Sequence, residues 1–301
     1  MSPPDAGTQS TPSDAAEGSD GLPLGPGVRI AVLHKCGLLA LDKPEGIVSH
    51  PNQGGGAEMR RADGGLQNGA GWHASTEKRH AKGKRPPEAL LRAPYDLEAE
   101  CYRLPGGRCL YLLNRLDSPT SGLVLATEDA RLADLVRALF REHGGAVAKT
   151  YYAVVKGLPL IPNRGRWQDR LAREQKHGGI LRAVRSASGI PSVANYEFLE
   201  VARHPAAGPL SLLRLCPITG RMHQLRVQCS LRGRPILGDQ TYGDFSLNRR
   251  MARAAPRLSR LFLHAATLEL RFRHNERPVH FLADSPLPEA YQALFPSLGV
   301  R

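Results

Sequence analysis

Apolar residues recur along this chain at two spacings. Leu132, Leu135, Val136, Leu139 and Phe140 return every three or four positions, the period of one helix face, so residues 128–143 are expected to form an amphipathic helix capped by Thr127 and ended by Gly144. Elsewhere apolar and β-branched residues come in short runs bounded by Gly, Pro or charge, the signature of strands. Such runs occupy residues 28–33, 109–113, 123–126, 149–155, 194–201, 210–216, 261–270 and 279–282, and residues 37–51 divide into two short strands punctuated by Pro44 and Gly46. Further helices are expected to start at Pro86-Pro87-Glu88-Ala89-Leu90-Leu91, to run over 221–232 with Gly233 as a stop, and to close the chain at 289–295. Many strands with few helices between them predict an α+β fold with a mixed, mostly antiparallel sheet, not a doubly wound one.

Two segments break the pattern. Residues 1–27 are rich in Ser, Pro, Gly, Ala and Asp with almost no large apolar side chains, so they are expected to form a disordered tail ahead of one domain at 28–301. Residues 52–85 are glycine-rich and end in the basic run Lys78-Arg79-His80-Ala81-Lys82-Gly83-Lys84-Arg85. They are expected to be a flexible insertion, longer than an ordinary loop and able to touch a polyanion.

Charge sharpens the expected partner. All 41 Lys and Arg lie beyond residue 28, against 24 of the 28 acids, an excess of 17 in the structured part of the 301-residue chain. Clustered bases gain affinity by releasing phosphate counterions, so a nucleic acid is the expected partner, with a solubilising surface as the alternative. Five cysteines without Cys-x-x-Cys spacing suggest neither a disulfide framework nor a zinc site, and fit a reducing cytoplasm. No apolar stretch approaches the ~20 residues of a membrane helix, and the acidic start lacks the features of a signal or mitochondrial presequence.

The candidate chemistry centres on Leu113-Asn114-Arg115-Leu116-Asp117-Ser118-Pro119-Thr120-Ser121-Gly122, which places an acid on a tight turn between two apolar strands. Alone, an Asp before Ser-Pro is an ordinary turn residue. Asp42-Lys43-Pro44-Glu45-Gly46, Lys149-Thr150-Tyr151 and Gly220-Arg221-Met222-His223-Gln224-Leu225-Arg226 add to it, as do Pro235 to Gly243 and Leu263-His264-Ala265. Together and in this order, these stretches resemble the motifs of the RluA-type pseudouridine synthases, and the likeness spans roughly residues 37–282 outside the insertion. Two positions depart from the pattern: Asn114 stands where the family has histidine, and Met222 where threonine is usual.

The resemblance implies a sheet split by a catalytic cleft and flanked by helices, and an enzyme that isomerises uridines of structured ribosomal or transfer RNA. It gives Asp117 the role of nucleophile, attacking either the ribose or carbon 6 of the uracil, after the nucleotide is flipped from its stack. Arg226 would keep that carboxylate ionised and oriented. Tyr151 would stack on the base, and its phenol would accept the carbon 5 proton if its surroundings lowered its pKa. Arg115 would fill the gap left by the flipped base, Leu225 would pack on the uracil, and Arg221, His223 and Gln224 would complete the substrate site. The reaction involves neither redox chemistry nor phosphoryl transfer, so no cofactor is implied. His223 and His264 have no third ligand at metal spacing, so no metal is expected either. A monomer is expected. The rival reading is an RNA-binding or RNA-folding protein that keeps the scaffold without the chemistry, motivated by Asn114 and Met222. A glycoside hydrolase is a weaker alternative, since only one carboxylate has a recognisable setting.

Overall fold

The computed structural model describes residues 21–51, 87–142, 145–175 and 181–300. The insertion, Gly144 and the tail up to residue 20 lie outside them. Thirteen strands form one sheet: β1 (Arg29–Leu33), β2 (Leu38–Lys43), β3 (Tyr95–Asp96), β4 (Cys101–Arg103), β5 (Cys109–Leu112), β6 (Ser121–Thr127), β7 (Val147–Lys156), β8 (Arg164–Gln175), β9 (Leu181–Arg185), β10 (Ile190–His204), β11 (Gly208–Pro217), β12 (Leu263–His274) and β13 (Arg277–Asp284). The helices are α1 (Ala130–Glu142), α2 (Gln224–Leu231), α3 (Phe245–Ala254) and α4 (Glu289–Leu294). The main path runs β3-β4-β5-β6-β12-β7-β11-β10-β8-β9, with the β1–β2 pair joined to β6 and β13 joined to β12.

Among the described strands every pairing is antiparallel except β6 with β12, where His264 lies beside Ser121 and Ala265 beside Gly122. That pair joins an N-terminal half of the sheet to a C-terminal half. All seven residues of β6 are buried, which explains its unbroken apolar run: side chains on both faces meet core. On one face Leu39, Leu41, Leu110, Leu112 and Val124 pack with Leu90, Leu91 and Tyr102. On the other, Leu38, Ala40, Leu123 and Leu125 pack under Leu132, Ala133 and Val136 of α1. The C-terminal half has its own core, in which Leu213 and Leu215 meet Leu225 of α2, Leu247 and Met251 of α3 and Tyr291 of α4.

Gly122 makes the joint possible. Its φ is +111°, and a Cβ there would sit 2.1 Å from the Ala265 carbonyl oxygen, on backbone that cannot move without parting the two strands. Gly122→Ala is therefore expected to cost about 3 kcal/mol or more, measured by denaturant unfolding. Unchanged stability would mean that the β6–β12 contact is not needed.

Four expectations are corrected here. Residues 87–91 are not helical: Ala89 bridges Val48, Leu91 bridges Leu24, and the N–H and C=O of Leu90 are taken by Val48 and Gly25. Leu90 and Leu91 are both buried, and extended backbone lets these adjacent residues enter the core while neighbouring segments use their polar groups. Of the two strands expected in 37–51 only β2 forms; after Gly46 the chain keeps the single bridge at Val48. Asp129, not Thr127, caps α1, its Oδ1 accepting from the N–H groups of Arg131 and Leu132 at 2.8 and 3.1 Å, while the Thr127 hydroxyl donates to the Gly37 carbonyl. Residues 21–27 are placed against the core: Leu22 and Leu24 pack on it, and Gly25 donates to Leu90.

Candidate active site

Asp117 leaves the sheet immediately before β6, where the two halves join. The Asp117 carbonyl accepts from Thr120 N–H at 2.9 Å, closing the turn that the Ser-Pro pair favours. A second turn, residues 43–49, grips this one from both flanks. Ser49 Oγ accepts from Leu116 N–H and donates to the Leu116 carbonyl, at 3.0 and 2.9 Å. Gly46 N–H donates to the Ser118 carbonyl at 2.8 Å, and Ser118 Oγ returns a bond to the Gly46 carbonyl. Lys43, fully buried, adds its ammonium to the carbonyls of Pro44, Ile47 and Ser118 at 3.0, 2.8 and 3.1 Å. Burial pulls Lys43 down to about 7, against the opposing pull of Asp117 and Glu45. Three carbonyls sharing one ammonium explain why this lysine can be buried at all.

The partner of Asp117 comes from the other half of the sheet. His223 takes a left-handed backbone (φ 53°) and turns the chain into α2, whose Arg226 points back to the joint. Arg226 Nη1 donates to Asp117 Oδ2 at 2.9 Å, and its Nε and Nη2 form a two-pronged pair with Asp239, each bond 2.8 Å. Asp239 is 1% exposed, Arg226 5% and Asp117 30%, so one guanidinium bridges a buried acid and an accessible one. Burial works against the charge on Arg226, but the bonds from Asp239 and then Asp117 outweigh it and hold the guanidinium firmly protonated. Asp239 is further fixed by the N–H groups of Thr241 and Tyr242, which donate to its Oδ1. Asp117 Oδ1 receives no protein hydrogen bond among the described residues.

His223 faces the same carboxylate, its Nε2 lying 3.6 Å from Asp117 Oδ2. Tyr242 Oη takes the Ala183 N–H at 2.8 Å and lies 2.9 Å from His223 Nδ1. With its hydroxyl proton given to Nδ1, the ring N–H sits on Nε2, towards Asp117. Burial lowers the pKa of His223 despite the nearby acid, which keeps the ring neutral.

The remaining expected site residues divide. The partly buried Tyr151 ring packs against the cores of both halves, directly at the joint. Burial, and after it the charge of Asp117, push its phenol up, opposite to the direction a phenolate base requires. Arg115 is exposed, and its Nη1 donates to His50 Nε2 at 3.0 Å. His50 is itself fixed by stacking on Tyr95, with centroids 4.6 Å apart and planes 11° from parallel. Leu225 is buried in the C-terminal core. Gln224 is not free for a ligand: its Oε1 accepts from Thr219 Oγ1 and Arg221 N–H, and its Nε2 donates to the Val193 carbonyl and Gln228. Arg221 reaches the Pro191 carbonyl at 3.3 Å. The two departures from the motif pattern are also placed. Asn114 ties β6 down, accepting from Leu125 N–H at 2.6 Å and donating to the Leu123 carbonyl. Met222 packs with Leu171, Ala183 and Val227.

Reasoning from sequence gave no role to Asp239, Tyr242, Lys43 or His50. Lys43, Asp239 and Tyr242 lie in the matched stretches, and that position was the available signal, since the residues beside them in sequence are polar, Gly or Pro. His264 bonds locally, as expected. Its Nε2 donates to the Ser285 carbonyl at 3.2 Å, and Nδ1 accepts from Ser121 Oγ at 2.9 Å, which in turn accepts from Arg260. Burial holds this imidazole down to about 4, below the ordinary 6.5, although the Ser285 carbonyl and Asp42 pull the other way. Unfolded chain therefore takes up the proton first. The contribution of neutral His264 is intact above pH 6.5 and drains away as pH falls towards 4, by up to about 3 kcal/mol. Unfolding measured across that window should lose much of its acid dependence in His264→Gln; an unaltered pH profile would rule this out.

Among the described residues no three His, Cys, Asp or Glu side chains are grouped to hold a metal ion, and no helix is long and apolar enough to cross a membrane. Sheet, joint and ion pair together define an α+β protein with one accessible carboxylate, held by a buried arginine, where the two halves of a mixed sheet meet. The family model described as RNA pseudouridylate synthase matches residues 37–231, and the chain belongs to that family. It is 36% identical over 170 residues to the tRNA pseudouridine synthase C of Yersinia pestis, covering 54% of this chain and 64% of that one. Against the ribosomal large subunit pseudouridine synthase C of Escherichia coli K12, identity is 35% over 192 residues, covering 62% and 55%. The chain thus spans less than two thirds of the length of these relatives. The tRNA pseudouridine synthase C of Vibrio cholerae is 30% identical over 202 residues, with 64% and 79% covered. In fold the chain is similar to human RNA pseudouridylate synthase domain containing 1, at a TM-score of 0.56 and 22% identity over 91% of this chain and 95% of that one.

Proposed function

We propose that this protein is an RNA pseudouridine synthase that isomerises uridines in structured ribosomal or transfer RNA, with Asp117 as the nucleophile. The observation that carries the reading is the Asp117–Arg226–Asp239 arrangement. Arg226 occupies one oxygen of Asp117, while Oδ1 has no protein hydrogen-bond partner among the described residues and the side chain is 30% exposed. A carboxylate oriented in this way is suited to attack on a sugar carbon or on carbon 6 of a uracil. If Asp117 attacks the sugar carbon, the bond from ribose to the base nitrogen breaks as the new bond forms, and carbon 5 of the turned base then displaces Asp117 from the ribose. If it attacks carbon 6, the bond from ribose to the base nitrogen breaks, carbon 5 bonds the ribose, and the Asp117–carbon 6 bond breaks to free the carboxylate. In either route the carbon 5 proton is lost as the freed nitrogen gains one. Asp117 lies at the joint beside Tyr151, so the nucleotide must leave its stack to reach it, and Tyr151 supplies a ring for the uracil.

The relatives' names speak of transfer RNA and of ribosomal large-subunit RNA, and the excess of 17 positive charges beyond residue 28 suits either. The reading without chemistry rested on Asn114 and Met222. Asn114 bonds the backbone of β6 and Met222 packs beneath β9, so neither alters the Asp117–Arg226 contact, and this favours the enzyme. The high position of the Tyr151 phenol favours stacking as its task, with the carbon 5 proton leaving by another acceptor. The test is tritium release from RNA labelled at carbon 5 of uridine. Release on total unmodified cellular RNA is expected. Binding and refolding of the same RNA without release would leave the scaffold reading in its place.

A further inference from the structure

The turn that grips Asp117 delivers one more residue beside it. His50, 8% exposed, follows Ser49 directly and lies against Arg115, two positions before the proposed nucleophile. Its seat is built outward from the core. Tyr102 of β4 is fully buried, and its Oη donates to the Ser49 carbonyl at 2.7 Å. Tyr95 of β3, paired with Tyr102 across the strands, meets that ring edge-on with centroids 4.9 Å apart, and His50 stacks flat on Tyr95 at 4.6 Å. Arg115 is the outermost member of this series and is exposed to solvent.

Hydrogen bonds fix how the ring is used. His50 Nδ1 lies 3.3 Å from the Pro51 carbonyl, which can only accept, so the ring proton sits on Nδ1. Nε2 then carries a lone pair, and Arg115 Nη1 donates to it at 3.0 Å. A protonated ring would have no lone pair to offer. Burial first, and Arg115 after it, lower the pKa of His50 against the pull of the Pro51 carbonyl and Glu100, which keeps the ring neutral. A neutral acceptor orders the long arginine side chain without cancelling its charge. Among the described residues no carboxylate lies within 4.0 Å of Arg115; Glu100, whose charge reaches His50, pairs with Arg137 of α1 at 3.6 Å.

We propose that His50, seated on Tyr95, is a positioning residue that holds Arg115 ready to enter the RNA stack and fill the gap left by the nucleotide drawn to Asp117. This role rests on the RNA reading above and deepens it. A nucleotide leaving its stack opens a space one base thick, and a guanidinium is planar, stacks on rings and keeps donors at its edge. Arg115 makes no other hydrogen bond among the described residues, so its remaining nitrogens and both faces of the plane are left for bases. An arginine already ordered in the free protein gives up little further freedom on entering, which favours the unstacked state. Ser49 Oγ binds both backbone groups of Leu116, the residue between Arg115 and Asp117. The group that fills the gap and the acid that receives the nucleotide thus share one mount, and His50 is the next residue of the segment that forms it.

The test is a double-mutant cycle on the full chain between His50→Phe and Arg115→Ala, read as kcat/KM for tritium release from in vitro transcribed transfer RNA and ribosomal RNA fragments labelled at carbon 5 of uridine. Each single change should lower kcat/KM by roughly tenfold to a hundredfold, the scale of a misplaced group. The double variant should fall no further than Arg115→Ala alone, because His50 acts only through Arg115. His50→Gln, whose amide oxygen can still accept from the guanidinium, should recover most of the loss. Additive losses in the cycle would overturn the proposal and leave His50 a residue of the fold. If His50→Phe does not fold, Tyr95→Leu takes its place in the cycle, removing the seat while keeping the acceptor. Arg115→Lys keeps the charge without the plane, and full activity in that variant would overturn the gap-filling role in favour of a phosphate contact. The same cycle is measured on RNA affinity in Asp117→Asn protein, where no turnover is needed, and non-additivity is expected there too. If it is found while wild-type protein releases no tritium, the His50 seat stands and the enzymatic reading fails; additivity in both measures removes the seat alone.

Discussion

Asp117→Asn protein is expected to fold, to bind RNA with nearly wild-type affinity, and to lose turnover by at least about 10⁴-fold, the scale on which enzymes lose rate when a nucleophile is removed. Asparagine has almost the same shape, and its amide oxygen can still accept the Arg226 Nη1 bond that now measures 2.9 Å. Asp117 is 30% exposed, so the lost ion pair should change stability by no more than about 1 kcal/mol. What the amide cannot do is form the covalent link to sugar or base, and that loss appears in kcat and not in binding. Single-turnover tritium release alongside RNA binding reads both quantities. Activity within tenfold of wild type would remove Asp117 from the mechanism and the proposed function with it.

Asp239→Ala should do the converse, damaging both fold and rate. Asp239 and Arg226 are 1% and 5% exposed, and removing one partner of such a pair leaves a buried charge without compensation. A loss of about 3–5 kcal/mol is expected in denaturant unfolding. Two of the three bonds that aim the guanidinium disappear, so Arg226 no longer presents Nη1 to Asp117 in a fixed place. A misplacement on the order of 1 Å can cost about 10²-fold, and a fall in kcat of that size is expected at temperatures where the variant is still folded. Loss of stability with full kcat would make Asp239 a purely structural residue. The two substitutions thus separate the acid proposed to react from the acid proposed to position it.

How much of this was legible in the chain follows from where the signals lie. Strands with apolar runs, such as β6, β7 and β11, were evident because burial on one or both faces leaves a direct mark on composition. β8 and β9 were not assigned, since their exposed positions are filled with arginine and only Trp167, Leu171 and Ala183 are buried. α3 also escaped, though Asp244 caps it by accepting from Leu247 N–H. The segment 87–91 misled in the opposite sense: prolines followed by Glu-Ala-Leu-Leu have good helix propensity, but Val48, Leu24 and Gly25 offered its backbone better partners. At the candidate site, the motifs pointed to Asp117, Arg226 and Tyr151, whereas Asp239 needed the fold. Nothing near it in sequence announces a partner 13 residues away on a helix.

By itself the sequence determined the fold class, the accessible acid, the arginine meant for it and the basic character of the surface. Each of these depends on local patterning, on residue types at short spacing, or on net charge, and all of those survive in one dimension. Only the tertiary structure decided that a single glycine lets β6 lie along β12, and that this joint brings Asp117 to within 2.9 Å of an arginine 109 residues away. It also decided that the guanidinium is shared with a buried second acid, and that Tyr242 ties the backbone of β9 to His223 beside the same carboxylate. The physical reason is common to all of these: a buried charge is tolerated only where partners converge on it, and which partners converge is a property of packing between distant segments.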